Sequence, residues 1–318
     1  MQFKILDWNK LSPARKKSLS KKPTLTFIAG PREISKVRAK QLIEKYGTEE
    51  NYLLFGVLKD NYIPELEFPQ FRSMKGDVVL RAVEKLGEIG MGKLRILNHR
   101  HEDTAYIISE LKPKKVIFIN GSYKRAIHLR QEYWKALDAG AEVIMESVFI
   151  NDSEAKRYFQ KIEKRKSKKE FDKYKVYTDK EILKLAEETS ANSFDWIYPI
   201  GAVLGENGKP KILAHNAVLP YETYSALKGS IREKNKSPAG DQNHYDTNHA
   251  EMEILERARE KRIGLRGKTL YINVFPCSTC CRILSRTELS RVVYSLEHSS
   301  NYGIKLLKES GVKVEKIV

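Results

Sequence analysis

The sequence is poor in cysteine: it has three in 318 residues, Cys277, Cys280 and Cys281, all inside five positions. That distribution excludes a disulfide framework and leaves a metal or redox site in a reducing compartment. No apolar run approaches the ~18 residues that a membrane-crossing helix requires. The first 22 positions scatter Lys and Arg among Ser and Pro without an apolar signal-peptide core. A soluble, cytoplasmic protein with no membrane partner is expected. No G-x-x-x-x-G-K-S/T sequence is present, which argues against a P-loop kinase, and there is no internal repeat or low-complexity tract.

Positive charge is what the chain has in excess. A formal charge of +17 draws a protein toward polyanions, whether nucleic acid, acidic surfaces or phosphorylated small molecules. The length exceeds that of a usual single domain, so two are expected.

From residue 24 the pattern alternates. Strand candidates at 25–29, 52–58, 94–97, 116–119 and 143–149 are interleaved with helix candidates at 35–46, 77–86, 104–111 and 126–137. Strands alternating with helices predict a parallel α/β sheet covered on both faces, so residues 1–155 read as a Rossmann-like domain of unknown role. Gly30-Pro31-Arg32 and Asn120-Gly121-Ser122 follow strands and precede helices, where doubly wound sheets bind phosphates and nucleotides. The cluster His99-Arg100-His101-Glu102-Asp103 reads either as a metal or phosphate site or as capping and solvated charge.

Residues 156–178 read as a basic linker or helix. Positions 156–175 hold ten Lys or Arg against three acids, forming a solvated face or, alternatively, a nucleic-acid surface. The remaining range, 179–318, opens on a helix at 180–188, then strands at 200–204 and 212–214 joined through Asn207-Gly208, a hairpin signal. A polar stretch, 221–248, is long enough to be a functional loop or flap. Helix, strand, helix, strand, helix and strand follow at 251–262, 269–275, 280–285, 291–295, 303–310 and 312–317.

The chemistry sits in this last part. His249-Ala250-Glu251 opens one helix, and Pro276-Cys277-Ser278-Thr279-Cys280 leads from a strand into another. One imidazole and two thiolates make a three-ligand zinc site with a fourth position left for water, as a catalytic site requires. Both ligand sets lie at helix N-termini, which favour thiolates at Cys277 and Cys280. Glu251, two residues after His249, is placed to move protons. A redox reading of the Cys-x-x-Cys pair is the rival, with Cys281 read as a small buried helix residue.

The combination H-x-E with P-C-x-x-C resembles the cytidine deaminase superfamily over about residues 180–318. The helix-length segment between the last two strands predicts a parallel pair, which is similar to the deoxycytidylate and tRNA adenosine deaminase branch. The resemblance implies a three-layer α/β/α domain, Zn2+ held by His249, Cys277 and Cys280, Glu251 as the catalytic acid and base, and a homo-oligomer. His215-Asn216-Ala217-Val218-Leu219-Pro220 is similar to the glycine-tyrosine-asparagine-glycine-x-proline segment of deoxycytidylate deaminases, departing from it at His215 and Ala217. It implies substrate contact by Asn216, whose alternative role is to cap a turn. The same resemblance assigns Ala250, Pro276 and Ser278 to substrate binding. His244 reads as a second-metal or phosphate ligand or as a plain loop histidine, and His298 as a residue near an approaching substrate or an incidental one. The function implied is hydrolytic deamination of a dCMP-like cytosine nucleotide. The alternatives are a deaminase acting on tRNA or single-stranded DNA, and a non-catalytic deaminase-like binding protein.

Overall fold

Residues 25–28 and 52–58 are leucine-rich, aromatic and β-branched runs without polar alternation, the pattern of strands covered on both faces. A computed structural model of the chain, which describes residues 5–48, 50–84, 93–164, 171–241, 243–297 and 301–318, places them in the middle of a six-stranded sheet. In chain order the elements are β1 (Ile5–Asp7), α1 (Pro13–Ser20), β2 (Leu25–Ile28), α2 (Lys36–Tyr46), β3 (Tyr52–Leu58), α3 (Gly76–Glu84), β4 (Leu94–His99), α4 (Thr104–Leu111), β5 (Lys115–Ile119), α5 (Gln131–Asp138), β6 (Glu142–Glu146) and α6 (Asp152–Glu163). The strand order is β1-β4-β3-β2-β5-β6 with every pairing parallel. Counted from β2, the last five strands run 3-2-1-4-5, the Rossmann order. Phe27, Leu54, Leu97, Val116 and Phe118 share one core cluster with Ile107, Ile108 and Leu111 of α4 and Ala136 of α5. The Rossmann-like expectation is met. β1 and α1 went unread because a three-residue strand is too short to display a period.

Of the basic 156–178 stretch, residues 156–163 are helical, in α6. Positions 165–170 lie outside the described residues, and 171–178 carry no helix or strand.

The second sheet is mixed. Its elements are α7 (Asp179–Ser190), β7 (Gly201–Glu206), β8 (Lys209–His215), β9 (Ala217–Val218), then, beyond two short helices, β10 (Thr247–Asn248), α10 (Ala250–Glu260), β11 (Thr269–Val274), α11 (Ser278–Leu284), β12 (Arg291–Leu296), α12 (Asn301–Glu309) and β13 (Lys313–Lys316). The two short helices are α8 (Tyr224–Lys228) and α9 (Ile231–Lys234). The strand order is β13-β12-β11-β7-β8. β7 and β8 form the expected hairpin, with Asn207 and Gly208 both at positive φ (49° and 71°). β12 and β13 pair in parallel as the crossover requires. Alternate strand residues face opposite layers. Ala202, Leu204, Leu270, Ile272 and Val292 pack with α10, α11 and α12 residues, whereas Val203, Tyr271 and Val293 pack with Ile182, Leu183 and Ala186 of α7. This is the three-layer α/β/α arrangement.

The chain divides into two compact units, Met1–Arg165 with Thr223–His244, and Lys166–Glu222 with Tyr245–Val318. These units differ from the ranges read from sequence in two respects: the 156–178 linker is divided between them, and residues 223–244, inside the 179–318 range, fold with the first unit. Their attachment includes hydrogen bonds that leave no hydrophobic period, such as Val148 N–H donating to the Ala226 carbonyl at 3.3 Å. Among the described residues no helix is long and apolar enough to cross a membrane.

Gly201 marks the tightest layer contact. A Cβ there would meet the Ala186 carbonyl oxygen at 2.0 Å and the Ser190 amide nitrogen at 2.5 Å, both backbone atoms of α7. Gly201→Ala is expected to destabilise the second unit by about 1–3 kcal/mol, as overpacking does. Chemical denaturation followed by circular dichroism would measure the loss; unchanged stability would mean α7 is free to shift.

Candidate metal centre

Two loops bring the site together. β9 and β10 pair antiparallel, Thr247 opposite Val218 and Asn248 opposite Ala217, and this short ribbon delivers His249 as the N-cap of α10. β11 ends at Val274, and Phe275-Pro276 turns the chain so that Cys277 becomes the N-cap of α11. Pro276 is buried ahead of the helix, where its fixed φ favours an extended approach. The Cys280 amide donates to Cys277 Sγ at 3.5 Å.

His249 Nδ1 lies 3.6 Å from Cys277 Sγ and 3.3 Å from Cys280 Sγ. Ordinary zinc bonds of about 2.3 Å to sulfur and about 2.05 Å to nitrogen, opened to a tetrahedral angle, put those atoms about 3.6 Å apart. Among the described residues, His249, Cys277 and Cys280 form the one group of three or more His, Cys, Asp or Glu able to hold a metal. Donor set and spacing both fit Zn2+. His249 is half-buried, its ring edge-on to Tyr245 with centroids 4.5 Å apart, and both thiols are buried.

The electrostatics refine the expectation of two thiolates. Hydrogen bonding from Cys280, against the opposing effect of burial, holds Cys277 at about 4. The Cys277 sulfur in turn drives Cys280 up, reinforced by burial. Hydrogen bonding between the two sulfurs thus favours ionising Cys277 first, and the second proton leaves when a cation arrives. Burial alone would lower His249, but Cys277 overrides it and raises the imidazole. Burial pushes Cys281 up to about 12. Its thiol donates to the Pro276 carbonyl at 3.4 Å, so it is a packing residue as expected.

Glu251 is 2% exposed, and its Oε2 has no protein partner. Burial, first among several influences, raises its carboxyl above the usual range. A carboxylate shut in beside metal ligands with a free oxygen is ready for a proton and a substrate atom.

The sequence-assigned substrate residues are positioned less simply. Asn216 is 2% exposed and its amide is engaged internally. Oδ1 accepts from Ile200 N–H at 2.8 Å, and Nδ2 donates to Asp195 Oδ2 at 3.0 Å and to the Tyr198 carbonyl at 2.9 Å. Asn216 therefore knits the 195–200 loop to β8. Ala250 is fully buried in the α10 core cluster, so only its backbone can meet a ligand; Ser278 is half-buried at the start of α11. His244 bonds within its own loop, to Asp241 Oδ2 at 2.6 Å and Ser237 Oγ at 2.9 Å. His298 lies outside the described residues.

Sequence reasoning missed Asp195. Its Oδ1 accepts from Ile197 N–H at 2.7 Å and Tyr198 N–H at 3.3 Å, and its Oδ2 from Asn216 and, at 3.4 Å, from the Thr247 hydroxyl. Burial nonetheless pushes its carboxyl up to about 6. Asp195 thus ties β8 to the ribbon carrying His249, and positions so far apart in sequence offer no motif. Tyr245, four residues before His249, carried a weak signal in its closeness to the ligand.

Residues 176–296 match the family model of the cytidine and deoxycytidylate deaminase zinc-binding region. Solved structures with a similar chain path include the apo dCMP deaminase from cyanophage S-TIM5, at 22% identity over 44% of this chain and 96% of that one, TM-score 0.32. A tRNA:A34 deaminase is 19% identical over 43% of this chain and 98% of its own, TM-score 0.29. The guanine deaminase from Nitrosomonas europaea is 14% identical over 43% and 74%, TM-score 0.30. No curated protein matches the sequence.

Two outcomes are expected. Cys277→Ser, Cys280→Ser and His249→Ala each lose most bound zinc in a metal assay, and chelation lowers the melting temperature of the parent protein, whereas Glu251→Gln keeps about one zinc per chain. Asp195→Ala keeps zinc but raises KM on the order of tenfold, with a smaller change in kcat. Zinc loss in Asp195→Ala would instead show that it supports the ligands themselves.

Proposed function

We propose that the C-terminal half of the chain, which carries the deaminase zinc-binding region, catalyses hydrolytic deamination of a cytosine mononucleotide of the dCMP type. One observation carries this reading: a three-ligand His249/Cys277/Cys280 set with the buried, unpartnered Glu251 oxygen beside it. A redox dithiol needs no imidazole on both sulfurs and no enclosed carboxylate; a hydrolytic site needs all three.

The zinc ion, when bound, supplies Lewis-acid polarisation that makes water nucleophilic near neutral pH. Glu251 accepts the proton of the water attacking C4 and delivers it to the ring nitrogen. It then moves the second proton to the exocyclic nitrogen, so that the C4–N bond breaks, ammonia leaves and a carbonyl remains. Its burial suits both directions, because a raised pKa narrows the gap between taking and giving a proton. Pro276 and Ser278, at the turn into α11, supply the wall and rim against which the base is oriented.

The polymer reading has two supports, the charge of +17 and the basic 156–175 segment. Salt separates the two readings: a nucleic-acid substrate loses affinity steeply because many phosphates are neutralised, while a mononucleotide loses little. Ammonia release is to be followed for dCMP, CMP, dCTP, cytidine, guanine nucleotides, single-stranded DNA and tRNA, with Glu251→Ala as the blank. Turnover of dCMP or CMP, weakly dependent on salt and lost by a factor of at least ~100 in Glu251→Ala, is expected. Turnover confined to a polymer overturns the mononucleotide assignment.

A further inference from the structure

The first unit holds a group of buried polar side chains that metal binding and deamination do not use. It lies at the carboxyl ends of β2 and β5, the neighbours between which a 3-2-1-4-5 sheet reverses direction. Sheets of this order take ligands in the crevice there. The chain leaves β2 through Gly30 (φ 56°) to Pro31-Arg32 and leaves β5 through Asn120 to Gly121 (φ 69°) and Ser122. Arg32 N–H donates to Ser122 Oγ at 3.0 Å, tying the two turns together.

Arg32 is 1% exposed. Its Nη2 donates to the Gln70 carbonyl, and its guanidinium lies over the Phe71 ring, 5.3 Å from the centroid. Nε and Nη1 have no protein partner. The Tyr158 hydroxyl acts on the guanidinium by hydrogen bonding and charge, and Glu33 acts on it by charge alone; among the described residues no carboxylate lies within ion-pair distance. A buried cation without a paired anion costs several kcal/mol, and a fork with two open N–H groups matches phosphate oxygens.

Two buried acceptors without a partner lie at the same end of the sheet. Asn120 Nδ2 donates to the Ala226 carbonyl at 3.4 Å, while its Oδ1 has no partner. His99, at the end of β4, bonds through Nδ1 to the Arg100 carbonyl at 2.8 Å, and its buried Nε2 has no partner. Burial favours the neutral ring, so that nitrogen is an acceptor. A bare anion satisfies the guanidinium and none of these. A phosphate carried on a group with hydroxyl or amino donors satisfies both.

Residues 224–237 cover this end of the sheet. Glu233 accepts from Ile127 N–H at 3.2 Å, and His128 Nε2 bonds the Ser237 carbonyl at 2.8 Å. Gly229 (φ 84°) passes beside Asn120 and Lys234. We propose that this crevice is a nucleotide site, with Arg32 binding phosphate, Asn120 and His99 accepting from the sugar or base, and residues 224–237 forming the cover. The proposal stands apart from the deaminase reading.

The test is calorimetric titration of the full-length zinc-loaded protein with ATP, GTP, dCTP, dTTP and inorganic phosphate. At least one nucleotide is expected to saturate, more tightly than inorganic phosphate. Arg32→Met should weaken it at least tenfold while leaving the ligand-free melting temperature unchanged or raised, since it removes a buried unpaired charge. Asn120→Leu, which removes the acceptor offered to the sugar or base, should also weaken it. The nucleotide should also slow amide exchange in 224–237. The proposal falls if no nucleotide saturates, if inorganic phosphate binds equally well, or if affinity survives both substitutions, which would place the nucleotide at the deaminase centre.

Discussion

Two helix N-termini, those of α10 and α11, have to open side by side for one imidazole nitrogen and two sulfurs to converge. Neither helix can choose its own position. α11 is aimed by β11, whose parallel pairing with β12 and antiparallel pairing with β7 leave it no freedom of register. α10 is held by the two-residue ribbon of β9 and β10. The packing behind the site enforces the same geometry: a Cβ on Gly303 of α12 would meet Cys281 Sγ at 2.6 Å, so α12 closes on α11 only through glycine. The third cysteine thus serves the metal centre by fixing the helix that carries the other two.

Asp195 and Asn216 extend that constraint outward. Asp195 gathers four donors, two from its own loop and two from elements on either side. Such a carboxylate stays buried because its hydrogen bonds replace water. Asn216 does the same work with an amide. Its amide is thereby committed to holding the 195–200 loop against β8.

The metal-ligand set and Glu251 include no lysine or arginine, so the excess positive charge is carried by other residues. Part of it is locked in ion pairs of the folded units, as with Arg38 and Lys45 on Glu146, or Arg291 on Asp179. Arg32 is different in kind, since it is fully enclosed and unmatched by a carboxylate. Exposed lysines raise the field around a protein, but a buried guanidinium selects what may enter.

Much was legible in the residues alone. The α/β class, the parallel first sheet, the hairpin at Asn207-Gly208, the parallel last pair, and the His249/Cys277/Cys280 set with Glu251 all follow from periodicity, turn chemistry or short spacings. These signals are local, encoded within one or two turns of helix or strand. What the tertiary structure decided is non-local. It spends the Asn216 amide on Asp195 from 21 positions away, lifts residues 223–244 out of the deaminase range into the first unit, and separates the two cysteines electrostatically. Pattern reading sees which residue types recur along a chain. Hydrogen-bond partners, burial and the charge of a neighbouring sulfur depend on which distant segments meet, and only folding brings them together.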